Sequence, residues 1–360
     1  MKKKLRIIHL PSSIGDNSYN LSLGEKSLGY HSIFLLFNNK RGRGNTYSKN
    51  NYDQIIEFGS KIEGIIRILL FYIIAIFKYD VFHFNAGMSL FYSERFKYLN
   101  HIDLIFLKIF KKKVIMTYQG SSGRIVSHSI TRSISYFTED DLIESKRTDN
   151  IKKYRFKVVN RFADLVYATN PDLLNSLPPK SKFRAYTKLS PFNEKIRFKY
   201  YKNNKIVIGH APSDLKIKGT AHFNKSVELL KSEGYDFDVK IAQGYSRESM
   251  TLFYSNIDIF VDQLLVGWYG GAAVEAMAEG AAVVAYICQE DLKFCAQDFV
   301  KAMAIINAEP ASLSTILRAL LDNPILLDEY KDKSFRFFHS HHNIYRIAKT
   351  ITKDYESLYK

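Results

Sequence analysis

Short apolar runs alternate with helix-like stretches from one end of the chain to the other. In the first half the runs fall at residues 7–10, 32–37, 81–84, 114–117 and 165–168. A second series begins at 205–209 and continues at 237–241, 259–262 and 282–285, with helices expected near 221–232 and 247–255. A strand covered by helices on both faces has no solvent side, so it reads as unbroken apolar sequence. The pattern therefore predicts parallel sheets with helical crossovers, an α/β fold of two Rossmann-like domains. Between the two series the sequence is polar and basic and carries Pro191, which marks 191–204 as a linker. The first domain is then 1–190 and the second 205–340. After about Ser312 the pattern is helical, and the last segment, 341–360, is expected to return to the first domain.

With 360 residues and 46% hydrophobic content, the chain can bury two cores and is not disordered. The formal net charge of +16 implies attraction to anions: nucleic acid, nucleotide substrates or an anionic membrane surface. The basic residues cluster at Lys2, Lys3 and Lys4, at Lys111, Lys112 and Lys113, and across 195–205. None of these is a helix carrying base-reading polar side chains, so nucleic acid is not an expected partner. Cys288 and Cys295 are too few for a disulfide framework or a four-cysteine zinc site, which favours a reducing, cytoplasmic setting. The basic start runs through a short apolar stretch straight into Pro11 without a cleavage site, and reads as a first strand rather than a signal peptide. The longest apolar segment, 68–77, is about half the length needed to span a bilayer. Flanked by Arg67 and Lys78, it reads as a helix buried in the protein in preference to one lying in a bilayer interface.

The most informative chemistry lies between residues 261 and 281. An apolar run leads through Gly270 and Gly271 into strong helix formers, so the amides of Gly270, Gly271 and Ala272 would be free to face an anion above the strand end. A phosphate suits them. Glu275, one turn further on, has a carboxylate able to accept two hydroxyls, as a ribose would offer. An ordinary strand-to-helix turn with a solvated Glu275 explains the same residues. Lys216 and Lys218 precede another helix start at Gly219-Thr220, where a lysine can neutralise phosphate as a flexible point charge. Gly15 follows the first strand in a loop that could approach a ligand closely. It does not complete G-x-G-x-x-G, which argues against a nicotinamide or flavin cofactor. Asp236 and Asp238 match a D-x-D metal motif by chance, at the start of a core strand. His339, His341 and His342 lack a carboxylate or cysteine at ligand spacing and are expected on the surface. No metal is expected.

Together these segments resemble the retaining GT-B glycosyltransferases of the large family 4-like group ("glycosyl transferases group 1") that includes bacterial lipopolysaccharide and capsule enzymes. The resemblance covers essentially the whole chain and is strongest over 206–220 and 257–286. It implies a GT-B fold, two Rossmann-like domains facing each other across a cleft. It also implies that Lys218 holds the donor diphosphate, that Gly270, Gly271 and Ala272 cradle it, and that Glu275 binds the nucleotide ribose. Four positions depart from the family pattern. Gly267 stands where a glutamate usually contacts the donor sugar. Ser213 replaces an arginine, for which Lys216 is the substitute the resemblance implies. Asn85 and Gln119 stand where the family often has histidine; both amides can bond sugar hydroxyls, but neither is a general base near neutral pH. His83 is retained, in a place where a strand-end histidine is more often structural.

The resulting expectation is a glycosyltransferase that moves a sugar from a nucleotide diphosphate donor to a saccharide or lipid-linked glycan acceptor, with retention and without a metal cofactor. It would serve bacterial surface polysaccharide synthesis. Basic clusters and the apolar helix of the first domain suggest peripheral association with an anionic membrane surface on the cytoplasmic side. A nucleotide-sugar 2-epimerase of the same fold and an inactive sugar-nucleotide-binding partner are the alternatives.

Overall fold

The computed structural model describes residues 4–12, 14–39, 51–91, 100–188 and 205–360. The linker at 191–204, Lys2 and Lys3 lie outside the described residues. The chain divides into two compact units. The first comprises Met1–His128, Asp140–Leu189 and Ile344–Lys360; the second comprises Ser129–Glu139 and Ser190–Asn343.

The first unit is built on seven parallel strands, β1 (Arg6–Leu10), β2 (His31–Asn39), β3 (Gln54–Phe58), β4 (Val81–Phe84), β5 (Lys113–Tyr118), β6 (Leu165–Ala168) and β7 (Ser181–Phe183). Their order is β3-β2-β1-β4-β5-β6-β7, so the direction of winding reverses between β1 and β4. The central strands are almost wholly buried, which is why they read as unbroken apolar runs. β3 and β7 are short edge strands of mixed polarity, half covered, and escape a search for such runs.

One face of this sheet is apolar, with Ile8, Leu10, Phe82, Phe84, Val114 and Met116 packed in a single core. The other mixes apolar residues such as Ile7, Val81 and Ile115 with His9, Ser32, His83 and Thr117, and it holds helix α1 (Asn17–Ser27) and the final helix, Ile344–Ser357. His9 Nε2 lies 2.8 Å from Glu25 of α1, and Ser32 donates to the same carboxylate at 2.6 Å. His83 is completely buried, with Nδ1 2.6 Å from the Tyr355 hydroxyl of the final helix and Nε2 2.7 Å from Thr117 Oγ1. Burial, then the adjacent His9 and Arg184, push its pKa well below the ordinary histidine range. His83 is therefore a neutral strut between sheet and helix.

The apolar segment at 68–77 lies inside a longer helix, α2 (Lys61–Lys78), capped by Ser60, whose side chain accepts from the Glu63 amide. The expectation of burial is corrected here. Eight large apolar side chains from Ile62 to Phe77 follow the 3.6-residue period on the outward face, and each is 42–73% exposed. Only Gly64, Tyr72, Ala75 and Ile76 are buried beneath. α3 (Ile102–Ile109) repeats the arrangement, burying Leu104 and Leu107 while Ile105, Phe106 and Ile109 face outward. Mean polarity registers that both helices are apolar; it does not register that they use one apolar face for the core and leave another uncovered.

The second unit has five parallel strands, β8 (Ile206–His210), β9 (Phe237–Ile241), β10 (Ile259–Val261), β11 (Ala282–Ala285) and β12 (Ile306–Asn307), in the order β12-β11-β10-β8-β9. The winding reverses between β8 and β10. Asp236 is exposed and pairs with Lys205 at 2.7 Å, while Asp238 is exposed on β9, an edge strand of mixed polarity rather than a core one. The histidines at 339–342 are not surface residues. His342 is fully buried, 3.0 Å from the Tyr269 hydroxyl and edge-on to Phe337, within an aromatic cluster that includes Phe299 and His341. A cluster rich in imidazoles reads as hydrophilic in sequence, but neutral rings pack like other aromatics once their nitrogens find partners.

Candidate functional site

Ligands of parallel α/β sheets bind beyond the carboxyl ends of the strands where the winding reverses, because the two adjoining loops diverge there and leave a crevice. In the second unit that point lies after β8 and β10. The loop after β8 carries the short helix Leu215–Lys218, started by Asp214 accepting from the Ile217 amide and ended at Gly219. Lys218 is thereby turned inward and buried, whereas Lys216 on the same turn is exposed. The loop after β10 begins at Asp262 and ends at Gly270, where the Gly271–Ala278 helix opens.

The two loops meet through Asp262. Its carboxylate, 1% exposed, pairs with the Lys218 ammonium and accepts from the Gly270 amide at 2.6 Å. This corrects one part of the expected anion seat: the Gly270 amide is not free, because Asp262 caps it. The amides of Gly271 and Ala272 open the helix and meet no acceptor among the described residues. Gly270 is extended, so glycine is not required there by the backbone, but space is tight: a Cβ would stand 3.2 Å from Lys218 Nζ and 3.3 Å from Asp262 Oδ2. A Cβ at Gly271 meets nothing within 4 Å. The helix start thus presents two amides and its positive dipole end to open space, with an ammonium beside it, an arrangement that favours a phosphate.

Glu275 lies one turn along, half-buried, facing Tyr254 of the neighbouring helix Arg247–Tyr254. Burial, with the Glu275 carboxylate second, holds the Tyr254 phenol far above its ordinary pKa, so it remains a neutral donor. Gly267 has φ +85°, and a Cβ there would come 2.9 Å from Cys288 Cβ and 3.1 Å from Arg132 Nη1. A glutamate at 267 is therefore disfavoured by backbone and by space. Arg132 comes from the Ser129–Glu139 segment, far away in sequence, and is fixed by Asp291 at 2.8 Å. Sequence reading found neither Arg132 nor Asp262: Arg132 has no local signal, and Asp262 reads only as the end of a strand.

In the first unit the reversal lies after β1 and β4, and Gly15 and Asn85 stand there. Gly15 and Asp16 both have positive φ, a sharp bend that starts α1, and Asp16 is braced by Asn51. Gln119 spans this bend: its Nε2 donates to the Ile14 carbonyl at 3.3 Å and its Oε1 accepts from Asn17 at 3.4 Å. Asn85 Nδ2 donates to the carbonyls of Leu10 and His83, tying the ends of β1 and β4 together. Both amides thus hold the loops in place, and Asn85 keeps only its Oδ1 for a hydroxyl. Lys188 Nζ lies 3.9 Å from the Cβ position of Gly15 and is a further cationic residue of this locus that sequence reading missed.

The architecture of two Rossmann-like units is that of the GT-B class, and solved structures carry the same fold. The chain resembles sucrose-phosphate synthase (tll1590) from Thermosynechococcus elongatus with a TM-score of 0.64 at 13% identity, over 98% of this chain and 99% of that one. It resembles Anabaena Alr3699/HepE, solved in complex with UDP, with a TM-score of 0.59 at 13% identity, covering 98% and 100%. A candidate UDP-N-acetylglucosamine 2-epimerase from Listeria monocytogenes is also similar, with a TM-score of 0.53 at 10% identity over 99% and 97%. No family model matches the sequence, and no curated protein matches it.

Proposed function

We propose that the protein is a glycosyltransferase whose donor is a nucleotide diphosphate sugar, with the diphosphate at the start of the Gly271–Ala278 helix. The observation that carries this reading is the conjunction of two uncommitted helix-opening amides with the buried Lys218 ammonium at the reversal point of the sheet. Glu275 would take the ribose hydroxyls. HepE, of like fold, was solved with UDP, which supports a nucleotide as the ligand class. As the bond from the anomeric carbon to the phosphate oxygen breaks, negative charge grows on the leaving diphosphate. Gly271, Ala272 and Lys218 would meet it, with Lys216 in support. The acceptor hydroxyl attacks the same face and passes its proton to the departing phosphate, giving retention without a protein nucleophile or a divalent cation. Asn85, Gln119 and the Gly15 loop would contact the sugars. The acceptor is a saccharide, in a lipid-linked glycan at the cytoplasmic face of a membrane, as in surface polysaccharide synthesis.

Binding tests this directly. A nucleoside diphosphate should bind at least about a hundredfold tighter than its nucleoside, from two or more charge-assisted hydrogen bonds. Gly271→Val, whose Cβ would meet nothing within 4 Å, should abolish that preference. Equal affinities would remove the phosphate assignment. A nucleotide-sugar panel then separates the activities: transfer supports the proposal, a C2 epimer replaces it with the epimerase reading, and binding without turnover indicates a binding partner.

A further inference from the structure

Amphipathic helices normally turn their apolar stripe inward, and α2 and α3 each carry a second stripe turned outward. On α2 it runs through Ile62, Ile65, Ile66, Leu69, Ile73 and on to Phe77, without a charged residue at any of its positions. On α3 it runs through Ile102, Ile105, Phe106 and Ile109 to Phe110. Phe77 and Phe110 join the stripes edge to face, with ring centroids 6.0 Å apart. Between the helices lies an open groove of about 260 Å³ with wholly apolar walls, floored by Tyr72 and Ile76. The Tyr72 hydroxyl is withdrawn from it, donating to the Asp103 carbonyl at 2.5 Å. A continuous exposed face of this kind exceeds what a monomer in water carries without a use for it.

The charges around the face choose the occupant. Lys61 and Lys78 stand at the two ends of α2, and Lys111 and Lys112 follow α3, whereas Lys113 opens β5 and lies over the Tyr359 ring. Of the acidic residues on these helices, Glu63 is bonded to Arg67 and the Gly59 amide, and Asp103 is fully buried. An isologous pairing of two copies through this face would set basic rim against basic rim. An anionic bilayer satisfies both features, taking the apolar stripes into its acyl boundary and the lysines among its headgroups. No described helix is long and apolar enough to cross a membrane. We propose that the outward face of α2 and α3 docks the first unit on an anionic lipid bilayer, with one lipid chain entering the groove between them. This goes beyond the donor-site reading and does not depend on it.

Vesicle flotation with purified protein tests the proposal. The protein should float with vesicles one-third anionic in composition at low salt, and only weakly with zwitterionic ones. Leu70→Glu combined with Ile74→Glu changes two outward side chains, so the melting curve should stay unchanged while vesicle affinity falls on the order of a hundredfold. Replacing Lys111 and Lys112 with glutamine should cost about tenfold or more and weaken the preference for anionic lipid. With Ile66→Trp, brominated acyl chains should quench the added fluorescence, a direct reading of hydrocarbon contact. The proposal is overturned if wild-type protein does not float, if the double glutamate variant floats as well as wild type, or if Ile66→Trp is not quenched. It is also overturned if light scattering shows a dimer that the glutamates dissolve without any vesicle binding, which would assign the face to a second copy. Nucleoside diphosphate binding measured without vesicles reports on the donor site alone, so failure of either reading leaves the other standing.

Discussion

Lys218 has two duties at once: the charge that would meet a phosphate also neutralises Asp262, which in turn caps Gly270. Removing the ammonium alone leaves a buried carboxylate without its ion partner, a loss of about 3–5 kcal/mol in comparable pairs. Lys218→Ala is therefore expected to lower stability and donor binding together. Lys218→Met combined with Asp262→Asn keeps an acceptor for the Gly270 amide and should recover most of the stability but none of the nucleoside diphosphate affinity. Denaturant melts and calorimetric titration of the two variants check this, and recovery of binding in the double variant would remove Lys218 from the site. Gly267 makes a complementary case. Gly267→Glu should destabilise by about 2 kcal/mol or more rather than add a sugar contact, since φ is positive and Cys288 lies in the way.

Among the elements, α3 has an anchor that titrates. Asp103 is fully buried and accepts from Ser89 Oγ at 2.7 Å and the Leu90 amide at 2.8 Å, yet burial raises its carboxyl to about 6 from an ordinary 3.8. Between about pH 4 and pH 6 the folded chain holds a proton that the unfolded chain has released. Stability from this group is thus highest in acid and falls as pH rises through that window, by at most about 3 kcal/mol. Asp103→Asn keeps an acceptor for Leu90 and removes the titration. Its stability relative to wild type should rise across the window in denaturant melts, and a constant difference would show that Asp103 does not titrate there. The packing of α1 on the final helix is set by Gly24, where a Cβ would meet the Ile344 carbonyl at 2.7 Å and Ala348 Cβ at 2.8 Å.

At the scale of the whole molecule, the two units answer to different perturbations. Tyr355, Ile347 and Ile351 of the final helix are buried in the first unit, and Tyr355 holds His83. Deleting residues 344–360 should destabilise the first unit while nucleoside diphosphate binding, proposed for the second, persists. Conversely, ligand at about a hundred times its Kd should stabilise the second unit by about 2.7 kcal/mol. Differential scanning calorimetry with and without ligand, on full-length and shortened chains, checks both. Loss of binding on deletion would show that the donor site needs the final helix.

Sequence alone determined the α/β class and most of the strands, because a strand buried on both faces admits only apolar residues and so records its own environment. It also singled out Gly270, Gly271, Lys218 and Glu275 as candidates, because they stand at strand-to-helix connections that a local pattern can mark. What it could not contain were relations between distant positions. The half-covered edge strands β3 and β7, the pairing of Asp262 with Lys218, and the placement of Arg132 beside Gly267 all depend on which segments lie next to one another. The direction of the α2 and α3 stripes was decided in the same way. An apolar period shows that a helix has a face, but only the sheet beneath it decides which face is covered, and here the packing left the longer stripe outside.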